Sequence, residues 1–199
     1  MKTECWYVLH REVCFLSEDG GISWNTAGMD LLPVVGASWL EIAPNTNNGN
    51  TWFVATGHGE WYKKLDLSNG IWRTTDAGAS WQPISMGTDM VTDFEEFWHD
   101  VRIRKFWMNQ SEPNIIVVVC NTGIYKTINA LETDPNMVAW LKVSDNLSSL
   151  QADGKEIFLD IVQMPGNENE LYASGDSTVY WSHNMGDTWE IIPGMEQLE

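Results

Sequence analysis

An acidic and aromatic segment is the part of the sequence whose residue types come nearest to catalytic chemistry. Residues 87–100, GTDMVTDFEEFWHD, place Glu95, Glu96 and Asp100 beside Trp98. Two carboxyl groups that flank a sugar can hydrolyse a glycosidic bond, one as the acid and the other as the base or nucleophile, and aromatic faces can hold sugar rings. The same composition is also typical of a solvated acidic loop or short helix. The three carboxyl residues are therefore candidates only, and the sequence assigns no catalytic residue.

Two arginines and an aspartate form a second candidate site, for ligand binding. Arg102 and Arg104 alternate in VRIRKF, so they share one face of a predicted strand. When the chain is shifted to its next repeat, Arg104 aligns with Asp160 in FLDIVQ. If the two strands are neighbours, an Arg–Asp pair joins them. Such a pair binds a ligand carboxylate, bridges two structural repeats, or is simply solvated.

A glycine-flanked loop supplies the last candidates. His58 and Trp61 lie in GHGEW, directly after a predicted strand. Loops on a rigid scaffold often carry binding residues, so both can contact a ligand, although a plain connecting loop has the same composition. His58 has no metal-binding partner at a usable spacing, and no phosphate loop or nucleophile motif is present. The sequence predicts neither a metal nor a cofactor.

The composition restricts the classes of partner. The chain has 199 residues, 43% of them hydrophobic, which suffices for one domain with a core. Its net charge of −17 repels nucleic acid and anionic membrane surfaces. No apolar run approaches the ~20 residues of a membrane span. The first residues, MKTECWYVLHREVCF, lack the layout of a signal peptide.

An internal repeat is the strongest signal in the sequence. Three segments superpose without gaps on the pattern Ser/Thr-x-Asp/Asn-x-Gly-x-Ser/Thr-Trp, here named the box: SEDGGISW, TTDAGASW and SHNMGDTW. A fourth copy starts at Thr127 and Asn129 and is interrupted by an insert before Trp140. The residues that fit the box are Ser17, Asp19, Gly21, Ser23, Trp24, Thr74, Asp76, Gly78, Ser80, Trp81, Thr127, Asn129, Ser182, Asn184, Gly186, Thr188 and Trp189.

The box has a structural explanation in local chemistry. An Asp or Asn side chain accepts hydrogen bonds from backbone N–H groups of the turn that follows it. The Gly permits a positive φ, and the Ser/Thr hydroxyl adds a local hydrogen bond. The Trp starts the next strand and buries a large surface. The acidic residues of the box are therefore predicted to fold a hairpin rather than to catalyse a reaction.

The segments around the boxes predict the architecture. An aromatic strand precedes each box (VCFLS, GIWRT, GIYKT, TVYWS), and a further apolar strand precedes that one. Three copies have a still earlier strand, so one unit is about four strands in roughly 50 residues, the size of a propeller blade. We therefore predict an all-β propeller of four-stranded antiparallel blades. The segment covers residues 1–199, with blades at about 1–36, 37–92, 93–150 and 151–199.

These residues resemble the Asp-box, or BNR, propeller superfamily, which includes sialidases, sortilin-type receptors, xyloglucan-cleaving glycosidases and photosystem-assembly factors. The strings ATGHGEW, GIWRTTDAGASW and PNIIVVVCNTGIYKT look most like sortilin-like propellers of large secreted bacterial proteins. The chain departs from sialidases because it has only four arginines and no sialidase arginine motif before its first box. No catalytic residue of the superfamily is therefore carried over.

The resemblance implies a function that the fold alone does not fix. We expect a non-catalytic binding scaffold of a secreted or surface protein, with a protein or a glycan as its ligand. A propeller-type glycoside hydrolase is the alternative, and an assembly factor is a further one. Because the superfamily usually builds rings of six or more blades, the four repeats predict a partial ring. The missing blades come from a longer chain or from association.

Overall fold

The fold is described from a computed structural model that covers residues 6–10, 13–17, 19–28, 32, 37–56, 70–84, 103–150 and 157–195. Fifteen strands lie in these residues: β1 Trp6–His10, β2 Val13–Ser17, β3 Asn25–Thr26, β4 Ala37–Ile42, β5 Trp52–Thr56, β6 Ile71–Thr74, β7 Gln82–Pro83, β8 Ile103–Met108, β9 Ile116–Cys120, β10 Gly123–Thr127, β11 Leu141–Lys142, β12 Phe158–Met164, β13 Asn167–Gly175, β14 Val179–Ser182 and β15 Glu190–Ile191. Short 3₁₀ turns span Asn47–Gly49, Pro135–Met137 and Asp145–Leu150.

The strands form four antiparallel sheets, each a meander of consecutive strands. Blade 1 contains β1–β3, blade 2 contains β4–β7, blade 3 contains β8–β11, and blade 4 contains β12–β15. Within the described residues, blade 1 therefore has three strands and the other blades have four. Strand β8 lies between β4 and β12, so these three inner strands are neighbours, as in a propeller. The all-β blade architecture predicted from the sequence is confirmed.

The four blades share one hairpin register. In every blade, the Ser or Thr that starts the box is paired with the first residue that the preceding strand contributes to the hairpin. These pairs are Trp6 with Ser17, Trp52 with Thr74, Ile116 with Thr127, and Leu171 with Ser182. Positions can therefore be compared from blade to blade without ambiguity.

The core lies between blades, because alternate residues of a strand point to opposite faces of its sheet. In β5, Trp52 packs with blade 1, whereas Phe53 packs with blade 3. In β9, Val118 packs with blade 2, whereas Val117 packs with blade 4. Middle strands are consequently buried on both faces, which explains their uninterrupted apolar runs WFVAT and IVVVC.

No helix in the part of the chain that the structure describes is long and apolar enough to cross a membrane.

Candidate ligand-binding surface on the inner strands

The three inner strands share a β-bulge at the same place. The pairing of each inner strand with its neighbour shifts register between Ala37 and Trp39, between Ile103 and Lys105, and between Phe158 and Asp160. The extra residues are Ser38, Arg104 and Leu159. A bulge re-aims the side chains that follow it. Trp39, Lys105 and Asp160 therefore occupy one equivalent position on three successive blades, and we call them the inner row.

The inner row is a connected set of side chains. Lys105 Nζ lies 2.7 Å from Asp160 Oδ1 and 4.7 Å from the centre of the Trp39 ring. The Lys105 side chain is 21% exposed and that of Asp160 is 54% exposed. Ion pairs and cation–π contacts at such exposed sites contribute about 1 kcal/mol or less each. The row therefore fixes the orientation of these groups more than it stabilises the fold.

Two further inner-strand contacts flank the row. Trp39 Nε1 donates a hydrogen bond of 2.9 Å to Glu41 Oε1. Burial raises the pKa of Glu41 above its usual value, and the hydrogen bond from Trp39 and the positive charge of Lys105 oppose that rise. Trp107 Nε1 donates a hydrogen bond of 3.0 Å to Gln163 Oε1 of the next blade. The surface thus presents the Trp39 indole, one cation and two carboxyl groups, each held by a partner, whereas the Trp107 indole is buried between blades 3 and 4.

The structure corrects the cation that the sequence analysis paired with Asp160. The predicted partner was Arg104, whereas the ion pair is made by Lys105. Because β8 and β12 carry the bulge at the same place, the residue of β8 that corresponds to Asp160 is Lys105, one position after Arg104. Glu41, Trp39 and Lys105 were not among the sequence candidates. A gap-free alignment of WLEI with KFWM and DIVQ places Trp39, Lys105 and Asp160 at one position.

The remaining sequence candidates lie outside the described residues and stay predictions: His58, Trp61, Glu95, Glu96, Trp98, Asp100 and Arg102. In the part of the chain that is described, no three His, Cys, Asp or Glu side chains come together as a metal site would require.

The box side chains form closed turns. Asp19 Oδ1 accepts hydrogen bonds from Ser17 Oγ, Ile22 N and Ser23 N, and Asp19 Oδ2 accepts one from Ser23 Oγ at 2.6 Å. The hydrogen bonds from Ser23 and Ser17 lower the pKa of Asp19 to about 2. Burial pushes the pKa of Asp76 upward, but hydrogen bonds from Ser80 and Thr74 outweigh it and the pKa is lowered.

The interrupted box of blade 3 has the same geometry. Asn129 Oδ1 accepts from Thr127 Oγ1 and from Ala139 N, each at 3.0 Å. In blade 2, Asp76 Oδ1 accepts from Thr74 Oγ1 and Ser80 N in the same way. The insert therefore loops out between two anchor points that this turn shares with the box of blade 2, without breaking the turn.

A cation before the box joins each of the two middle blades to the next one. Arg73 is buried and donates from Nη1 to the carbonyl oxygens of Ala130 and Glu132, both at 2.8 Å. Lys126, at the same position one blade on, donates to Asp187 Oδ1 at 2.6 Å. Both contacts reach the box turn of the following blade. We call this position the clasp.

The comparisons with known proteins identify the class of fold. No protein-family model matches the chain, and no curated protein sequence matches it either. Among solved structures, it is similar to the GH74 enzyme of Niastella koreensis, with a TM-score of 0.63 at 15% identity over 95% of this chain and 27% of that one. An ancestral GH74 enzyme gives 0.65 at 16% identity over 96% and 22% of the two chains.

YCF48 from Cyanidioschyzon merolae gives a TM-score of 0.58 at 15% identity over 97% of this chain and 57% of that one. The chain therefore spans about a quarter of the length of the GH74 enzymes and little more than half of YCF48. At these identities the similarity shows the fold alone. The protein is a β-propeller segment of about four blades.

Proposed function

We propose that this chain is a non-catalytic interaction scaffold of the Asp-box type, which binds a glycan or a protein ligand over its inner strands at the cell surface or outside the cell. The observation that carries the proposal is the state of two carboxyl groups, one in the inner row and one beside it. Asp160 is bound to Lys105, and Glu41 is bound to the Trp39 indole. Hydrolysis of a glycosidic bond needs two carboxyl groups that are free to act on one substrate.

The same groups suit binding. Asp160 is more than half exposed, so one of its oxygens can accept a hydrogen bond from a ligand while Lys105 holds the other. The partly exposed Trp39 indole is fixed by its hydrogen bond to Glu41. Fixed aromatic side chains lose little conformational entropy when a ligand packs against them. A hydroxyl-rich or amide-rich ligand with an apolar face matches this set.

A binding experiment with a catalytic readout tests the proposal. The chain is titrated with soluble oligosaccharides and with peptides while tryptophan fluorescence is followed, and release of new reducing ends is measured in parallel. We expect a saturable change without reducing ends. Asp160→Ala should weaken the binding, whereas Glu190→Gln, which removes an exposed carboxyl group from the outermost strand of the same blade, should not. Release of reducing ends in proportion to the amount of this protein would refute the proposal of a non-catalytic scaffold.

A glycoside hydrolase is the second candidate, and Glu41 is the observation in its favour. Burial raises the pKa of this carboxyl group, as a general acid requires, and an aromatic ring lies beside it. Any hydrolysis that the chain shows should then be lost in Glu41→Gln. An assembly factor, the remaining alternative, predicts saturable binding of peptides and none of oligosaccharides.

A further inference from the structure

Blade 3 carries an unusual concentration of exposed apolar side chains. Among the described residues, four large apolar side chains are more than half exposed, and three of them lie in this blade: Ile128, Met137 and Leu141. All three belong to the interrupted box or to the strand that follows it. Blade 3 lies between blades 2 and 4, so a missing neighbour does not explain their exposure. We call these three residues the rim patch.

The internal repeat shows that the fold does not require apolar residues at two of these positions. Ile128 is the second residue of its box, and this position is polar in the other three copies: Glu18, Thr75 and His183. Leu141 pairs with the clasp residue Lys126 across the outer hairpin. The residues that pair with the clasp in the other blades are also polar: Asn25, Gln82 and Glu190. Only blade 3 has an apolar residue at both positions, so their residue type points to a role other than folding.

A single turn holds the backbone segments of the rim patch together. Asn129, which follows Ile128, donates from Nδ2 to the carbonyl oxygen of Met137 at 2.9 Å. Its Oδ1 accepts a hydrogen bond of 3.0 Å from the backbone N–H of Ala139, two residues before Leu141. The three apolar residues are therefore gathered around one side chain, although the insert separates them along the sequence.

Ile128 and Leu141 lie on the same side of the blade. Ile128 follows Lys126 by two positions, and alternate residues of a strand point to the same face. In blade 4 the rings of the equivalent residues, Trp181 and His183, are in contact, with their centres 4.2 Å apart. Leu141 is paired with Lys126, and paired residues of antiparallel strands share a face. The two apolar side chains therefore flank Lys126 on the side that faces blade 4.

The insert presents Met137 from a fixed support. The 3₁₀ turn Pro135–Met137 is capped by Asp134, whose Oδ1 accepts a hydrogen bond of 3.0 Å from Asn136 N. The next residue, Val138, is fully buried in the core between blades 2 and 3. A surface that is already ordered loses little conformational entropy when a partner packs onto it. The patch is therefore suited to binding.

Exposed carboxylates surround the rim patch and define the charge of its partner. Glu132 and Asp134 lie in the insert, and both are exposed. Asp187, which pairs with Lys126, has a side chain that is 60% exposed. The two lysines of this region, Lys126 and Lys142, are each already paired with an acid. The region therefore has a surplus of negative charge, which favours a partner with positive charge.

We propose that the rim patch is a docking surface for a partner protein, which it binds through a segment that combines apolar side chains with Lys or Arg. Grouped exposed apolar residues with a polar surround mark interaction sites. The apolar side chains of the partner pack on the rim patch, and its cations face the carboxylates of the insert. An anionic membrane surface does not fit, because the net charge of −17 repels it.

This docking surface is separate from the ligand-binding surface on the inner strands. The inner row residue of blade 3 lies on β8, the first strand of the sheet, whereas Leu141 lies on β11, the fourth. The two strands are opposite edges of one blade. The chain can therefore hold a ligand at its inner strands and a partner protein at the rim of blade 3, and each site can fail its test without the other.

Peptide selection tests the chemistry of the partner. A library of random peptides displayed on phage is selected on the 199-residue chain after depletion on the double variant Ile128→Thr/Leu141→Gln. The double variant introduces the residues that blade 2 has at these positions, so it should fold, as circular dichroism can verify. We expect the enriched peptides to combine apolar residues with Lys or Arg. No enrichment, or enriched peptides without basic residues, overturns the proposal.

Methyl NMR tests the position of the docking surface. An enriched peptide is synthesised and titrated into protein that is labelled at the methyl groups of isoleucine and methionine. The signals of Ile128 and Met137 should shift saturably, and the affinity should fall as sodium chloride is added, because salt screens the attraction. Saturable shifts elsewhere, with both of these signals unchanged, overturn the proposal.

A matched pair of variants separates this surface from general adhesion to apolar groups. Ile128→Thr/Leu141→Gln should raise the dissociation constant of the peptide by at least about tenfold, since two apolar contacts are lost without a change of charge. Ile22→Thr is the control, because Ile22 is an exposed apolar residue in the box of blade 1. This variant should bind like the unaltered chain. An unchanged affinity of the double variant, or an equal loss in Ile22→Thr, overturns the proposal.

Discussion

The two clasp cations offer a sharp test of how burial controls the strength of a blade junction. Arg73 and Lys126 occupy the same position in successive blades, and both contact the next box turn. Their acceptors differ. Arg73 donates to two backbone carbonyls, one of them at Ala130, which is fully buried. Lys126 donates to Asp187, whose side chain is 60% exposed. We compare Arg73→Met with Lys126→Met, because methionine keeps much of the apolar stem without the charge.

The structure gives different magnitudes for the two changes. Each hydrogen bond from a charged group contributes about 1.5–3 kcal/mol, and a buried carbonyl left without a donor costs about 1–3 kcal/mol. Burial also lowers the pKa of Arg73, which shows that its charge is poorly solvated, so removing the charge recovers part of the loss. We expect Arg73→Met to lower the free energy of unfolding by about 2–4 kcal/mol. Water can replace Lys126 at Asp187, so Lys126→Met should cost about 1 kcal/mol or less.

Urea denaturation followed by tryptophan fluorescence measures both changes. All samples must have the same protein concentration, because association would shift the apparent stability. Equal costs for the two variants, or a larger cost for Lys126→Met, would refute the reasoning that the buried carbonyl acceptors decide the strength of the junction.

Three further predictions follow from individual contacts. Gly78→Ala should be more destabilising than Gly49→Ala by about 1–3 kcal/mol: both glycines have positive φ, but a Cβ on Gly78 would lie 2.5 Å from a backbone oxygen of blade 1, whereas nothing lies within 4 Å of one on Gly49. Thermal unfolding of both variants measures the difference, and equal midpoints would contradict it. The pKa of Asp19 is about 2 in the folded state, below its unfolded value, so its contribution to stability is present above about pH 4 and is lost as the pH falls towards 2. The stability advantage of the unaltered chain over Asp19→Asn should shrink across that range in acid titrations, and a constant advantage would count against the assignment. Lys105→Met should raise the pKa of Glu41 further, because the charge of Lys105 lowers it. NMR titration of the Glu41 carboxyl carbon measures this pKa, and a lower or unchanged value would contradict the prediction.

The local pattern was sufficient to predict the blades. The box fixes its own turn through hydrogen bonds between residues at most a few positions apart, as in Asp19 with Ser23. The apolar runs fix the middle strands, because a strand buried on both faces cannot carry polar residues. Even the interrupted box was recognisable, since Thr127 and Asn129 keep their spacing while the insert follows them.

The inner surface required the tertiary structure. A bulge adds one residue to a strand without leaving a clear mark in the sequence. The cation that meets Asp160 is Lys105 rather than Arg104, and this contact between blades is visible only in the structure. Burial raises the pKa of Glu41 and the charge of Lys105 from the next blade opposes that rise, and the local sequence reports neither.

The sequence by itself determined the repeat, the hairpin turns and the class of fold, because these depend on contacts between residues that are close along the chain. Only the tertiary structure decided which side chains meet between blades, where partners are separated by roughly one repeat. Lys105 with Asp160 and Arg73 with Ala130 are such pairs. It also decided which equivalent positions are covered, since Val162 of blade 4 is 48% exposed whereas Trp107, its counterpart in blade 3, is buried against blade 4.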